Sequence, residues 1–237
     1  MRWLARGLAV LALLAAALWW LGPYEPAELA AEFDASAMDR GVQAYFDAAE
    51  ARFDDITPGV QKRVIWAGAA EQRTPIALVY LHGFSATSEE VRPLPDQIAA
   101  ALGANLVFTR LTGHGRSGPA MAEATVGRWM TDAAEALAAA RAVGERVVVI
   151  GTSTGGTLAV AAALDPEMSR DVAAMILIAP NFAVNNPMAG LLTWPGARYW
   201  LPWVMGAERA FEPRSEAQAR YWTTRYPVVA VLPMAAL

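Results

Sequence analysis

Short apolar runs alternate along this chain with longer stretches in which apolar residues recur every three or four positions. The runs Lys62–Trp66, Ile76–Leu81, Asn105–Arg110, Val147–Ile150 and Ala173–Ala179 have strand length and are rich in Val, Ile and Leu. Between them, Leu94–Leu102, Thr125–Val143 and Gly156–Leu164 carry helical spacing, the first two followed by Gly103 and Gly144 as terminators. Strands that alternate with helices in this way predict an α/β domain, a mostly parallel sheet covered on both faces. Upstream, Met38, Val42, Tyr45, Phe46, Ala49 and Phe53 fall on one helical face, which predicts an amphipathic helix over Ser36–Phe53 capped by Ser36.

The two ends of the chain differ from this middle. Arg2 and Arg6 precede an uncharged stretch from Gly7 to Tyr24, close to the roughly 20 residues that cross a bilayer. Glu25, Glu28, Glu32 and Asp34 follow it, so the basic side is expected in the cytoplasm and the bulk of the chain on the extracytoplasmic, periplasmic side. Trp19 and Trp20 are expected at the far interface. An exported domain released by signal cleavage is the alternative, but the small residues Ala15-Ala16-Ala17 lie inside the apolar run, which favours an uncleaved transmembrane anchor. From Asn185 onward, tryptophans are interrupted by prolines without a clean period, as in a lid of short helices. Trp194, Trp200 and Trp203 are candidates for lining an apolar substrate pocket, or equally for packing the lid onto the core. The expected organisation is an anchor helix over 1–24, a linker and amphipathic helix over 25–60, an α/β core over 61–184 and the start of a lid over 185–237.

Composition narrows the chemistry. The 237 residues include no cysteine and only two histidines, His82 and His114, which removes disulfides and thiolate chemistry and leaves no histidine-rich metal site. Neither a metal nor a cofactor is expected. A net charge of −4 without basic clusters gives no reason to expect nucleic acid as a partner. The oligomeric state is open.

The chemistry is concentrated in Gly151-Thr152-Ser153-Thr154-Gly155, between the run Val147–Ile150 and a helical stretch. A serine at a strand-to-helix bend needs a strained backbone and close approach of the two elements, and Gly151 and Gly155 remove the Cβ atoms that would clash there. The pattern makes Ser153 the candidate nucleophile, with the Thr154 amide at the helix start as a donor to negative charge developing on a substrate oxygen.

Two further turns follow strands: His82-Gly83-Phe84-Ser85, and Leu111-Thr112-Gly113-His114-Gly115-Arg116-Ser117. With the Gly-x-Ser-x-Gly bend they resemble, over Lys62 to Leu237, the α/β-hydrolase superfamily, nearest to its serine esterase, lipase and lysophospholipase-like members with an inserted lid. The resemblance implies ester hydrolysis through an acyl-enzyme on a small-molecule ester or lipid, with the Phe84 amide as a second oxyanion donor. It also implies that His82 and His114 shape loops. In that superfamily the acid and the histidine follow the nucleophile in the chain. No histidine follows Ser153, and Pro180-Asn181 stands where a carboxylate is sometimes found. The catalytic acid and histidine are therefore unassigned. The expectation is a fold incomplete at its C-terminal edge, truncated from a longer hydrolase and inactive or nearly so. A membrane-tethered binding protein on the same fold is the alternative.

Overall fold

A computed structural model describes residues 2–184 and 186–237. Asn185, where the sequence changes character, lies outside the described residues. The chain opens with α1 (Arg2–Leu21), none of whose residues is buried. The predicted helix over Ser36–Phe53 is split. Asp34 rather than Ser36 caps a short 3-10 turn at Ala35–Met38, and α2 covers only Val42–Glu50. Gly41 lies at φ 108, outside helical space, and the Glu71 carboxylate accepts from the Val42 and Gln43 amides at 3.3 and 3.2 Å. A side chain 29 residues downstream thus restarts the helix.

β1 (Arg63–Ile65) and β2 (Thr74–Leu81) come next, then α3 (Leu94–Leu102), β3 (Asn105–Phe108), α4 (Val126–Val143) and β4 (Gly144–Thr152). The chain continues through α5 (Thr154–Ala163), α6 (Pro166–Ser169) and β5 (Val172–Ile178). α3 ends as expected at Gly103, in the left-handed region at φ 57. Gly144 acts differently: it is extended at φ −149 and already belongs to β4. A Cβ there would lie 2.5 Å from that of Ala77, so close approach to β2 explains this glycine. α5 begins at Thr154, two residues before the predicted start at Gly156.

The five strands form one sheet in the order β1-β3-β2-β4-β5, with β1 antiparallel and the other neighbours parallel. Alternation along β2 divides the core. Ala77, Val79 and Leu81 face a cluster with Trp129, Met130 and Leu137 of α4 and Leu158 of α5. Leu78 and Tyr80 face a second one with Ala99 of α3, Leu106, Phe108 and Ile150. β5 forms an edge, and Met175 and Ile176 on it are 39% and 38% exposed.

The remaining elements are short: a 3-10 turn at Ala189–Thr193, α7 (Ala197–Met205), β6 (Glu208–Ala210), α8 (Glu216–Tyr221), β7 (Arg225–Pro227) and α9 (Val231–Ala236). β6 and β7 pair as a two-stranded ribbon. A separate core of Met121, Leu201, Tyr226, Val228 and Leu232 holds this layer over the carboxyl ends of the strands.

Candidate active site

Ser153 stands between the last residue of β4 and the first of α5, at φ 51 and ψ −118. For a residue with a Cβ this is a strained conformation, which the surroundings must hold in place. Its amide donates to the Ile178 carbonyl at 2.9 Å, and its carbonyl accepts from the amides of Gly156, Thr157 and Asn181. The flanking glycines are required by contact. A Cβ on Gly155 would lie 2.1 Å from the Leu81 carbonyl oxygen, and one on Gly151 would lie 2.7 Å from that of Gly155.

The turn after β2 comes directly against this bend. A Cβ on Gly83 would lie 3.2 Å from the Ser153 Cβ, so the turn that leads into Phe84 packs on the serine bend. Among the described residues, neither the Phe84 nor the Thr154 amide donates to a protein acceptor. The Phe84 ring is wedged edge-on against His114, Trp129 and Tyr226 at centroid distances of 5.8, 6.4 and 5.3 Å. The buried Thr154 hydroxyl has no hydrogen-bond partner among the described residues.

Both histidines are fully buried. His82 Nε2 accepts from the Leu111 amide at 3.1 Å, which requires the proton on Nδ1, and Nδ1 donates to the Gly83 carbonyl at 2.9 Å. With both ring nitrogens committed to backbone, His82 ties two strand-end turns together. Burial pushes its pKa down to about 4. His114 packs on it at a centroid distance of 5.0 Å and donates through Nδ1 to the Thr112 carbonyl. Burial holds this ring, too, well below the ordinary imidazole range.

Two groups at this site were not singled out from sequence. Glu90 accepts from the Gly83 amide at 2.8 Å and from the Tyr80 hydroxyl at 2.9 Å, and burial raises its carboxyl pKa. Asn181 links the loop after β5 to the elbow, its amide donating to the Ser153 carbonyl while its carbonyl accepts from the Thr157 hydroxyl at 2.7 Å. Neither residue belongs to a local motif, so only spatial proximity identifies them.

A cleft of about 230 Å³ opens beside Phe84, lined among others by Met188, Leu192, Met205, Tyr226 and Met234. A neighbouring cleft of about 310 Å³ reaches Asn181 and shares Val184 and Met234 with it. The three candidate tryptophans line neither cleft among the described residues. Trp194 meets Trp19 edge-on at 5.7 Å, Trp200 donates from Nε1 to the Pro195 carbonyl, and Trp203 is 90% exposed. The helical period explains Trp203: Ala197 and Leu201 take the inward face of α7, which turns Tyr199 and Trp203 outward. Among the described residues no cluster of three His, Asp or Glu side chains is placed to hold a metal ion.

A mostly parallel sheet in which the interior strand β4 ends in this strained serine turn, under a helical layer, defines an α/β-hydrolase-fold protein. The sequence pattern of the serine aminopeptidase S33 family matches residues 72–230. The chain belongs to that family. It is also 31% identical over 113 residues to a thermostable monoacylglycerol lipase of Bacillus sp. (strain H-257), a match that covers 48% of this chain and 43% of the lipase. Among solved structures, one from work on the metagenome-derived lipolytic enzymes LipS and LipT superposes with a TM-score of 0.60 at 22% identity, covering 76% of this chain and 69% of that one.

Proposed function

We propose that this chain is a serine hydrolase acting on carboxylic esters of the lipid or monoacyl class, with Ser153 as its nucleophile. In this reading the Ser153 hydroxyl gives its proton to a base and attacks the ester carbonyl, the Phe84 and Thr154 amides stabilise the oxyanion, the ester C–O bond breaks as the alcohol leaves with that proton, and water then releases the acid from the acyl-enzyme. The observation that carries it is the strained Ser153 backbone packed against Gly83, in two meeting turns whose Phe84 and Thr154 amides donate to no protein acceptor among the described residues. Ester over other acyl substrates is favoured by the lipase relative and by the methionine-rich, largely apolar cleft.

The general base is supplied by neither histidine of this chain, because His82 spends both ring nitrogens on backbone and His114 is sealed behind Phe84 and Trp129. Ser153 therefore keeps the reactivity of an ordinary alcohol, and turnover by this chain alone is near background. α1, apolar over its length and exposed, is a membrane anchor that leaves the domain on the extracytoplasmic side.

Added imidazole tests the reading by standing in for the base. Hydrolysis of a medium-chain p-nitrophenyl ester should rise with imidazole in the full chain more steeply than in Ser153→Ala, and in the presence of imidazole a fluorophosphonate probe should label the former alone. Equal labelling of both proteins, with no Ser153-dependent hydrolysis at any imidazole concentration, overturns the assignment.

A further inference from the structure

The end of α1 is fastened to the lid. The Gly196 amide donates to the Pro23 carbonyl at 2.7 Å, and Trp19 meets Trp194 edge-on. Arg198 forms a two-pronged ion pair with Glu25, one arm at 3.1 Å, and the Glu25 side chain is only 4% exposed. The contacts join the last turn of α1 and the residues just after it to the first turn of α7. A bidentate pair with one partner covered resists hinging better than a surface ion pair does.

From this clamp α7 extends nine residues, about 14 Å at the helical rise. Its outward side carries Tyr199, Trp203, Val204 and Met205, at 68%, 90%, 72% and 49% exposure. No charged residue occurs from Tyr199 to Gly206. Amphipathic aromatic rings are the side chains that gain most at the headgroup level of a bilayer, and an apolar surface this exposed is costly in water. Met205 belongs both to this side and to the lining of the cleft beside Phe84, whose other rim holds Met188, 64% exposed.

We propose that the outer side of α7 docks on the bilayer surface from which α1 emerges, so that the cleft beneath the lid opens onto the lipid leaflet rather than onto bulk water. The inference rests on the anchor reading of α1 and deepens the proposed substrate class, because an ester lodged in the leaflet would reach the cleft without crossing water. Its partner is a lipid surface, committed to by the clamp: a helix held to the exit point of a membrane span cannot stand far from that membrane.

The chain has no cysteine, so single nitroxide labels can be placed without background. Full-length protein carrying Trp203→Cys, Leu11→Cys or Glu145→Cys would be labelled and reconstituted in phosphatidylcholine vesicles, and collision with oxygen compared with collision with a water-soluble nickel chelate. Glu145, exposed at the amino end of β4, serves as the aqueous reference. Labels at Leu11 and Trp203 should both show an oxygen-to-nickel ratio severalfold above that at Glu145. Adding Glu25→Gln should lower the ratio at Trp203 and leave Leu11 unchanged. A lipid-like ratio at Leu11 with a water-like one at Trp203 overturns docking while the anchor stands. A water-like ratio at Leu11 removes the anchor and docking with it.

Discussion

The Glu90 carboxylate accepts a 2.8 Å hydrogen bond from the Gly83 amide, within a turn that packs directly on Ser153. It also accepts from the Tyr80 hydroxyl, which in turn accepts from the hydroxyl of Thr152, the residue before Ser153. One half-buried carboxyl thus braces both sides of the serine bend. Glu90→Ala strands the Gly83 amide and should destabilise the fold by about 1–3 kcal/mol. Glu90→Gln keeps an acceptor and should lose less. Urea midpoints decide, and an alanine variant as stable as the glutamine variant would show that the brace contributes nothing.

Gly155→Ala should be among the most damaging single-methyl additions in this chain. Its Cβ would sit 2.1 Å from a backbone oxygen of β2, and backbone cannot step aside as a side-chain tip can. A loss of about 3 kcal/mol or more is expected, the range of severe core overpacking. Gly68→Ala, which meets nothing within 4 Å, should be close to neutral in the same denaturation experiment.

Arg110 and Glu50 form a buried two-pronged pair, with bonds of 2.8 and 2.7 Å and side chains 4% and 7% exposed. The remaining arm of Arg110 donates to the His114 carbonyl. Glu50→Ala leaves the guanidinium buried without its counter-charge and should cost about 3–5 kcal/mol. Glu208→Ala breaks a pair whose members are 68% and 51% exposed and should cost less than about 1 kcal/mol. Similar losses at the two sites would contradict this account.

Acid should destabilise the fold through the histidines. Below the ordinary imidazole value of 6.5 the unfolded chain takes up protons that folded His82, with a pKa of about 4, refuses. Stability therefore falls as pH drops from 6.5 toward 4, and His114 adds in the same direction. Asp132 opposes them, because burial raises its folded pKa to about 6 and the folded state binds that proton first. Glu90, whose carboxyl burial also raises, opposes them in the same way, so the histidine share is read from a substitution rather than from the net slope. His114→Phe removes one histidine and should flatten the slope. The Thr112 carbonyl that His114 engages keeps the Trp129 indole as donor. Melting temperatures across that range, with a slope unchanged by the substitution, would refute the assignment.

Much of the frame is legible in local pattern. Each predicted strand appears within a few residues of its expected limits; β2 and β3 are the clearest, because a parallel strand covered on both faces must be apolar almost throughout. The serine bend is legible because its glycines answer a clash between adjacent elements. The helix over Ser36–Phe53 misleads because its apolar spacing runs through Gly41, where a distant glutamate breaks and restarts the helix. The lid tryptophans stay ambiguous in sequence for another reason, Trp200 packing against the lid core as one of the two readings had it. Aromatic character marks a side chain that gains from leaving water, without saying whether protein, cleft or membrane receives it.

Sequence alone determined the α/β alternation, the apolar amino-terminal helix and the position of Ser153 on a strand-to-helix turn, since each follows from periodicity or spacing among near neighbours. Tertiary structure alone decided the sheet order, the backbone role of both histidines, the Glu90 brace, and the joining of Glu25 to Arg198 across 173 residues. Such contacts depend on which surfaces meet once the sheet is assembled. Local propensity carries no record of a partner so far along the chain.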